Sequence, residues 1–271
     1  LSLKVTELLE YRRCPQVYRF SHLLDVREHL KHRASTRAGG ASESEAPELS
    51  PVDLGTRVHA LLERIRFDAP DASEEIRRVL AGEDAKSRPA LTRMLAGVLE
   101  GEIGMAVRSA KRVEREWPFA MRVGGALVEG VIDLAIQAPN GAWTVIDYKS
   151  NDFSRSGRYE YLAEYYAPQL ELYAMALARA GIGEVSDCAL LFLAGPRVHR
   201  WAFDAGRADI GKWSESTVAR IAAGEYATSA GPKCDHCGYR KRKICEVGKS
   251  WVPGGGSQQP ASAIAFPATN S

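Results

Sequence analysis

The sequence predicts an α/β domain in which helices flank a central mixed sheet. Three strand-like runs follow one another at 115–123, 126–136 and 142–150, near the middle of the chain. Helical patterns precede this group, and a further helix separates it from two more strand-like runs at 188–195 and 197–203. Helices on both sides of a short set of strands are typical of an α/β layer architecture.

The part of the chain before the strands is predicted to be mainly helical. A helical pattern covers 3–13 and stops at Cys14 and Pro15. Residues 33–49 are polar, and we interpret them as a flexible connection. Further helices are predicted at 73–82 and 88–111.

A well-marked helix start lies between these segments. Ser50 is a suitable N-cap, Pro51 occupies the first helical position and Asp53 follows three residues after the cap. The apolar side chains that recur after this start at helical spacing are Val58, Leu61, Leu62 and Ile65. They predict a helix that buries one face.

The C-terminal part of the chain is predicted to end in a helix and a tail. A helix fits 168–180, with Pro168 near its start, and a last helix fits 208–224. Residues 251–271 carry no charge and are rich in Gly, Ser, Pro and Ala, so we interpret them as a disordered tail. The folded domain is therefore expected to span 1–250.

Composition and charge exclude several classes of protein. The 271 residues carry 36 Lys and Arg and 34 Asp and Glu, so a nucleic-acid surface must come from local clusters of charge. No apolar run approaches the roughly 18 residues of a membrane span, and the N-terminus lacks the pattern of a secretory signal. We expect a cytoplasmic protein without structural disulfides among its five cysteines. The chain lacks an initiator Met, which is consistent with a domain of a longer chain.

Three charged residues stand in the two central strands: Asp133, Asp147 and Lys149. Alternation places Asp147 and Lys149 on one face of the second strand. In the first strand, the same period places Asp133 opposite to the apolar face that carries Ile132 and Leu134. Charged side chains at such positions indicate a site, because a half-buried charge is costly unless it is paired.

The loop between the two strands decides whether the two acids meet. A two-residue turn at Asn140 and Gly141 sets Asp133 and Asp147 on opposite faces. A three-residue loop, with Gly141 in the left-handed conformation, sets them directly opposite with Cβ atoms roughly 5 Å apart. Because adjacent carboxylates repel unless a cation lies between them, we predict the odd-length loop, or an equivalent bulge, and a metal. The alternative is that both acids form surface salt bridges, but the inward charge of Lys149 favours the site.

These residues resemble the signature of the PD-(D/E)xK nucleases, specifically of the RecB-type branch. The central match is Gly130-x-x-Asp133 followed by Asp147-Tyr148-Lys149. The resemblance covers most of residues 3–245 and includes, in order, TELLEYRRCPQVY (6–18), Gly55-x-x-x-His59, Glu116-Trp117-Pro118-Phe119 and YAPQLELYAMAL (166–177). It implies a restriction-endonuclease-like fold and metal-dependent hydrolysis of DNA.

The resemblance also implies which side chains hold the metal. Mg²⁺ or Mn²⁺, which prefer oxygen ligands, would activate a water and offset phosphate charge. The implied ligands are His59, Asp133, Asp147 and the backbone carbonyl of Tyr148. Taken alone, His59 would be read as a histidine on an amphipathic helix, although Gly55, one turn earlier, leaves room for a close approach.

Four further residues are implied as catalytic or positioning groups. Lys149 would position or polarise the attacking water, and Glu116 would be an accessory acid. Gln169 and Tyr173 lie four residues apart on one helix face and would hold Lys149 or the DNA backbone near the metal. Ordinary helix packing explains Gln169 and Tyr173 nearly as well.

The cysteines predict a second metal site. Cys14, Cys234, Cys237 and Cys245 resemble the ligands of the iron–sulfur members of this branch, which include AddAB-type helicase–nucleases and CRISPR-associated nucleases. Four thiolates suit a [4Fe–4S] cluster that would join the two ends of the chain. The seven residues before Cys245 form a longer gap than in the family pattern, and zinc is the alternative, with His236 as a candidate ligand. Cys188, inside an apolar strand, is predicted to be a core residue.

Two other motifs could contact phosphate, and only the first is kept as a candidate. The basic run Arg240, Lys241, Arg242 and Lys243 could contact phosphates without reading sequence, or it could be a solvated loop or a sorting signal. The stretch from Gly206 to Trp213 nearly fits a phosphate-binding loop, but Trp213 stands where Ser or Thr must reach Mg²⁺. We therefore expect no ATP binding within this chain.

The function that this pattern predicts is a metal-dependent DNA nuclease domain, most simply that of an AddA/RecB-like helicase–nuclease in double-strand-break repair and recombination. Its partners would be DNA, mostly through the phosphate backbone, and a helicase motor in the same chain or in a partner subunit, with no membrane. One alternative is a free-standing iron–sulfur exonuclease of the CRISPR-adaptation type. A third is a non-catalytic DNA-binding scaffold of the same fold.

Overall fold

A computed structural model describes residues 1–26, 51–150, 158–206 and 209–252. Within them the strands form one six-stranded sheet. The strands are β1 (Ser2–Lys4), β2 (Arg112–Val123), β3 (Ala126–Gln137), β4 (Trp143–Lys149), β5 (Val185–Phe192) and β6 (Arg197–Ala202). The connection predicted at 33–49 lies outside the described residues, as does the predicted tail from residue 253 onward.

The sheet is mixed, as the sequence predicts. β1 pairs with β3, and β4 with β5, in parallel, whereas the β2–β3, β3–β4 and β5–β6 pairs are antiparallel. β2 covers one edge of β3 along its length, and β1 and β4 share the other edge. On that edge, β1 pairs with 127–129 and β4 with 134–137. Residues 130–133 therefore lie at a fork, where β3 has left one partner strand and not yet met the other.

The helices, in chain order, are α1 (Val5–Arg13), α2 (Pro15–Tyr18), α3 (Pro51–Arg64), α4 (Ala72–Val79), α5 (Arg88–Glu100), α6 (Glu102–Ser109), α7 (Arg158–Arg179), α8 (Asp209–Ala222), α9 (Gly238–Lys241) and α10 (Glu246–Lys249). A π-helical turn at Arg19–Leu23 and a 3₁₀ turn at Pro232–Cys234 complete them. Among the helices that the structure describes, none combines the length and the apolar character needed to cross a membrane.

Helices cover both faces of the sheet, which confirms the predicted layers. Buried side chains of α1, α7 and α8 pack on one face, and those of α3, α4, α5 and α6 pack on the other. In β4, Trp143 and Val145 belong to the first core, whereas Ile146 and Tyr148 belong to the second. The alternation predicted for this strand is therefore confirmed, and it places Asp147 on the α7 side.

The alternation of β3 is different, and its prediction was wrong. Val128 and Ile132 pack with the α1, α7 and α8 layer, whereas Leu134 and Ile136 pack with the opposite layer. The strand therefore has no continuous apolar face over these positions. At Asp133, the residue at the fork, the apolar side chains of the strand change from one face of the sheet to the other.

The apolar side chains of the neighbouring strand β2 change faces at the same level. Val113 packs with the α3–α6 layer and Phe119 with the other layer. Between them Glu116, which the register places across from Asp133, has a φ of +44°. A left-handed residue inside a strand breaks the two-residue period, so the two strands change faces together.

Several predicted boundaries also differ from the structure. The helix predicted over 3–13 begins as strand β1, and the helix predicted over 88–111 ends at Gly101, whose backbone is extended, before α6 starts. The strand predicted at 188–195 is Val185–Phe192.

Helix α7 starts at Arg158, well before the predicted start, and Pro168 lies inside it. Proline fits the first turn of a helix and so predicts a helix start, but packing can retain it within a helix at the loss of one backbone hydrogen bond. The added turns carry four tyrosines, Tyr159, Tyr161, Tyr165 and Tyr166.

A buried acid helps to hold the α3–α6 layer together. Glu75 is 1% exposed and accepts hydrogen bonds from the backbone N–H of Arg66 at 2.7 Å and from Nη2 of Arg78 at 2.6 Å. Hydrogen bonds from Arg78, and then those from Arg66, lower the pKa of Glu75 to about 2 in spite of its burial.

We expect Glu75→Gln to lower the free energy of unfolding by about 2–3 kcal/mol at pH 7, because two arginines lose their charged acceptor. Since the pKa of Glu75 is lowered in the folded state, its contribution is complete above about pH 5 and is lost as the pH falls toward 2. Urea unfolding at pH 7 and at acidic pH measures it, with Glu74→Gln, on the exposed side of the same helix, as the control. A difference between parent and Glu75→Gln that does not shrink in acid would contradict this.

Candidate active site

The loop after β3 brings two acids together. The backbone N–H of Ala138 donates to the carbonyl of Ala142 at 2.9 Å, which leaves a three-residue loop, and Gly141 has a φ of +93°. The strands then pair so that Leu134 faces Ile146. Continued by one residue, this register sets Asp133 opposite Asp147. The predicted odd-length loop is therefore confirmed.

At the fork, the backbone N–H and carbonyl of Tyr148 form hydrogen bonds with side chains and not with a neighbouring strand. Its N–H donates to Oδ2 of Asp133 at 2.8 Å, and its carbonyl accepts from Nε2 of His59 at 3.1 Å. Because a carbonyl can only accept, His59 carries a proton on Nε2 in this arrangement. Burial is the main cause that lowers the pKa of His59, so the ring is neutral near pH 7.

The neutral ring of His59 leaves a lone pair on Nδ1. This atom lies 3.6 Å from Oδ2 of Asp133. Glu116 completes a group in which one ligand atom from each of the three residues lies within 4.8 Å of the others. The change of faces in β2 and β3 explains this convergence, since it brings Glu116 and Asp133 to the same point. Glu116, expected only as an accessory acid, thus lies with two of the expected ligands.

Both acids in this group have raised pKa values. Burial, and then the nearby carboxylate of Asp147, raise the pKa of Asp133 to about 8. Burial also raises the pKa of Glu116, with smaller effects from Glu63 and Asp147. Partly buried carboxylates with raised pKa values, beside a histidine lone pair, have the donor types that a divalent metal takes. The residues present therefore fit a metal ion.

Asp147 is turned toward a different partner. It is 1% exposed, and its Oδ2 lies 2.5 Å from Nζ of Lys149 without the geometry of a hydrogen bond. Its Oδ1 accepts from Nε2 of Gln169 at 3.0 Å. Of the four expected metal ligands, Asp147 and the Tyr148 carbonyl thus lie beside the group of His59 and Asp133. Asp147 is engaged by Lys149 and Gln169, and the carbonyl accepts a hydrogen bond from His59 itself.

Lys149 is held by several groups at once. Nζ donates to Oε1 of Gln169 at 3.2 Å and lies 4.4 Å from the ring centroid of Tyr166. The amide N–H of Gln169 also donates to the hydroxyl of Tyr173 at 2.6 Å, so, of the expected pair on α7, Gln169 contacts the lysine and Tyr173 supports Gln169. Burial opposes the charge of Lys149, but the carboxylate of Asp147 outweighs it with help from Asp133, and the pKa is raised. Lys149 is therefore a cation at neutral pH.

Sequence reasoning missed the role of Tyr166. Its ring covers Lys149, and a cation over an aromatic face is stabilised when both are partly buried. The available signal was spacing, because Tyr166, Gln169 and Tyr173 recur at three and four residues and so share one face of α7.

Two glycines permit the close contacts of this site. A Cβ on Gly55 would lie 2.4 Å from Oγ of Ser150, so α3 could not approach the end of β4. A Cβ on Gly130 would lie 2.7 Å from the ring of Phe119 and 3.2 Å from that of Tyr173. The room expected beside Gly55 is confirmed, and Gly130 has a similar role at the fork.

The four terminal cysteines line one cavity between the N-terminal and C-terminal segments. The members are Cys14, Cys234, Cys237 and Cys245, each 7–8% exposed. Burial is the first cause that raises the pKa of Cys245, and the other three thiols add to it, while the Gly248 N–H donates to its sulfur at 3.4 Å. Cys188 is fully buried between β4 and β6, so it is a core residue as predicted.

The basic run lies beside the cysteines. Arg240 donates to the carbonyl of Trp251 at 3.2 Å, and Arg242 lies over the ring of Tyr239, whereas Lys241 and Lys243 are exposed. The near-match to a phosphate-binding loop at 206–213 falls partly outside the described residues.

Comparison with known proteins places this geometry in a family. The sequence model of the PD-(D/E)XK nuclease superfamily matches residues 2–246. An ATP-dependent helicase/nuclease subunit from Bacillus cereus (strain Q1) is 30% identical over 181 residues, which is 57% of this chain and 14% of that protein. The protein of the same name from Desulforudis audaxviator (strain MP104C) is 29% identical over 150 residues, 48% of this chain and 12% of that protein. The chain thus spans only a small part of these relatives.

A solved structure of a candidate exonuclease from Eubacterium rectale superposes on this chain with a TM-score of 0.47 and 12% identity. The superposition covers 83% of this chain and 83% of the exonuclease chain. A likeness at this level carries no weight in the assignment.

We expect Gly130→Ala to destabilise the fold by about 1–3 kcal/mol, because a methyl group would displace Phe119 and Tyr173. Thermal or urea unfolding measures the loss. Gly125→Ala is the matched control, since nothing lies within 4 Å of a Cβ at that position. Equal stability of the two variants would contradict the close packing at the fork.

Proposed function

This chain belongs to the PD-(D/E)XK nuclease superfamily, and we propose that its site is an active one that hydrolyses phosphodiester bonds of DNA with Mg²⁺ or Mn²⁺. The observation that carries the proposal is the convergence of Asp133, Asp147 and Lys149 at one fork of the sheet. A fold that had lost catalysis would not need to hold two acids and a lysine at this point.

The metal would lie beside the group formed by His59, Glu116 and Asp133. Asp147 and the Tyr148 carbonyl are adjacent donors that complete the expected set. When bound, such an ion lowers the pKa of a coordinated water and offsets charge on the phosphate.

The protein residues supply the rest of the chemistry. Lys149 is charged and fixed between Asp147 and Gln169, so it can orient a water and neutralise an oxygen of the phosphate, but it is not a base. Tyr173 and Gln169 act as positioning residues, because they reach the phosphate chemistry only through Asp147 and Lys149. The burial of this network keeps the lysine from swinging into solvent.

The four cysteines would hold a [4Fe–4S] cluster. The spacing of the sulfur atoms distinguishes the cluster from zinc. If three cysteines bound one tetrahedral zinc at a zinc–sulfur distance of roughly 2.3 Å, each pair of their sulfur atoms would lie about 3.8 Å apart. Among the described residues, no three thiol sulfurs lie within 4.8 Å of one another. A cluster suits wider spacing, since each cysteine binds a different iron atom. Zinc, with His236, remains the second candidate.

The cellular role would be that of a nuclease domain in an AddA/RecB-like helicase–nuclease. Relatives that carry the name helicase/nuclease support this, and the motor would lie in another part of the chain or in a partner subunit. The substrate contact would be made mostly with the phosphate backbone, to which exposed Lys241 and Lys243 could contribute.

We expect Asp147→Asn to reduce hydrolysis of linear DNA by about a hundredfold or more, because Lys149 loses its anchor and the metal loses a nearby anion. Release of acid-soluble nucleotides with Mn²⁺, and its loss in excess EDTA, measures the activity. Asp187→Asn, in β5 and hydrogen-bonded to Ser186, is the control. A parent without activity, or an unchanged Asp147→Asn, would refute the catalytic proposal.

We expect protein purified without oxygen to be brown, with absorbance near ~400 nm and about four irons and four sulfides per chain. Cys234→Ser should lose the colour and most of the iron, whereas Cys188→Ala should keep both, because Cys188 lies in the sheet core. Colourless protein with one zinc per chain would overturn the cluster in favour of the zinc alternative.

A further inference from the structure

Three tyrosines on α7 form a continuous series of rings that leads to Lys149. The rings of Tyr161 and Tyr165 are stacked, with centroids 6.2 Å apart and planes 26° from parallel. The ring of Tyr165 meets that of Tyr166 edge-on at 5.0 Å, and Tyr166 covers Nζ of Lys149 at 4.4 Å. An aromatic surface thus extends from the proposed active site to solvent.

The outermost ring of this series is open to solvent, and the next ring is partly exposed. Tyr161 is 63% exposed and Tyr165 is 36% exposed. Their spacing of four residues puts them on one side of the helix, one turn apart. Exposed aromatic rings in a stacked arrangement offer flat apolar faces, which is the surface on which nucleic-acid bases stack.

Positive charge lies beside the rings. Arg13, at the end of α1, is close enough to Tyr165 to lower its pKa, although burial has the larger effect and raises it. Arg12 precedes it, is exposed, and lies 6.0 Å from the ring of Trp213. Two acids lie on this side: Glu10 is hydrogen-bonded to His22 at 2.8 Å, and Glu171 lies near Arg12. Aromatic rings flanked by arginines match a chain that alternates flat bases and phosphates, and they match an apolar protein surface less well.

We propose that Tyr161 and Tyr165 form a stacking site for unpaired bases, with Arg12 and Arg13 contacting the phosphates of the same strand. The proposal rests on the nuclease function proposed above and names its substrate class: DNA that is single-stranded where it enters the site. Bases in a duplex already stack on each other, so the rings would gain little from duplex DNA. Because every base has a flat face, the site would tolerate any sequence.

The test measures binding of a fluorescein-labelled 12-mer of thymidylate, and of a 12-base-pair duplex, by fluorescence anisotropy in EDTA. Without metal, hydrolysis plays no part in the result. We expect Tyr161→Ala/Tyr165→Ala to weaken binding of the single strand by about tenfold or more, and of the duplex by less than about twofold. Tyr161→Phe/Tyr165→Phe keeps the rings and should bind like the parent.

Two outcomes would overturn the proposal. Equal binding of the single strand by parent and double Ala variant would show that the tyrosines do not stack on its bases. An equal loss for single strand and duplex would remove the preference for unpaired bases. If the double variant does not fold, Tyr161→Ala alone, at the more exposed position, gives the same comparison. A failure of the proposed nuclease function would be seen separately, as a parent that binds DNA but does not cleave it with Mn²⁺.

Discussion

Two carboxylates, one buried and one partly buried, face each other across a fork in the sheet, and the site depends on this constraint. Lys149 pairs with Asp147, and Asp133 is left with a backbone N–H and a neutral histidine ring. An acid in that position either stays protonated or takes up a cation. The approach of Glu116 and His59 indicates the second choice, because both add donors where an apolar contact would have been simpler.

Both helical layers contribute to this point, so the site exists only in the assembled fold. α3 supplies His59 from one side of the sheet, and α7 supplies Gln169 and Tyr173 from the other. A cluster at the four cysteines would fix the end of α1 against the C-terminal segment. Since α1 carries Arg12 and Arg13 to α7, that link would also set the position of the proposed DNA contacts relative to Lys149.

Much of this arrangement could be predicted from the sequence. Gly141 allowed either a two-residue or a three-residue loop, and the expectation that the two acids meet at a metal selected the three-residue loop that the structure has. The pattern Gly55-x-x-x-His59 indicated a helix with room for a close approach. The left-handed backbone of Glu116 could not be predicted, since a residue other than glycine rarely adopts it and the pairing of two strands sustains it. The same applies to Pro168, which tertiary packing retains inside a helix that local preference would end.

The central claim is that a divalent cation binds between the carboxylates at the fork. Calorimetric titration with Mn²⁺ at pH 7, in two buffers with different ionisation enthalpies, tests this claim most directly. The claim predicts one ion per active site and the release of most of one proton per ion, because the pKa of Asp133 is about 8 in the metal-free protein while His59 is already neutral. The released proton should disappear above about pH 9. Absence of binding at this site, or binding without proton release at pH 7, would contradict the account.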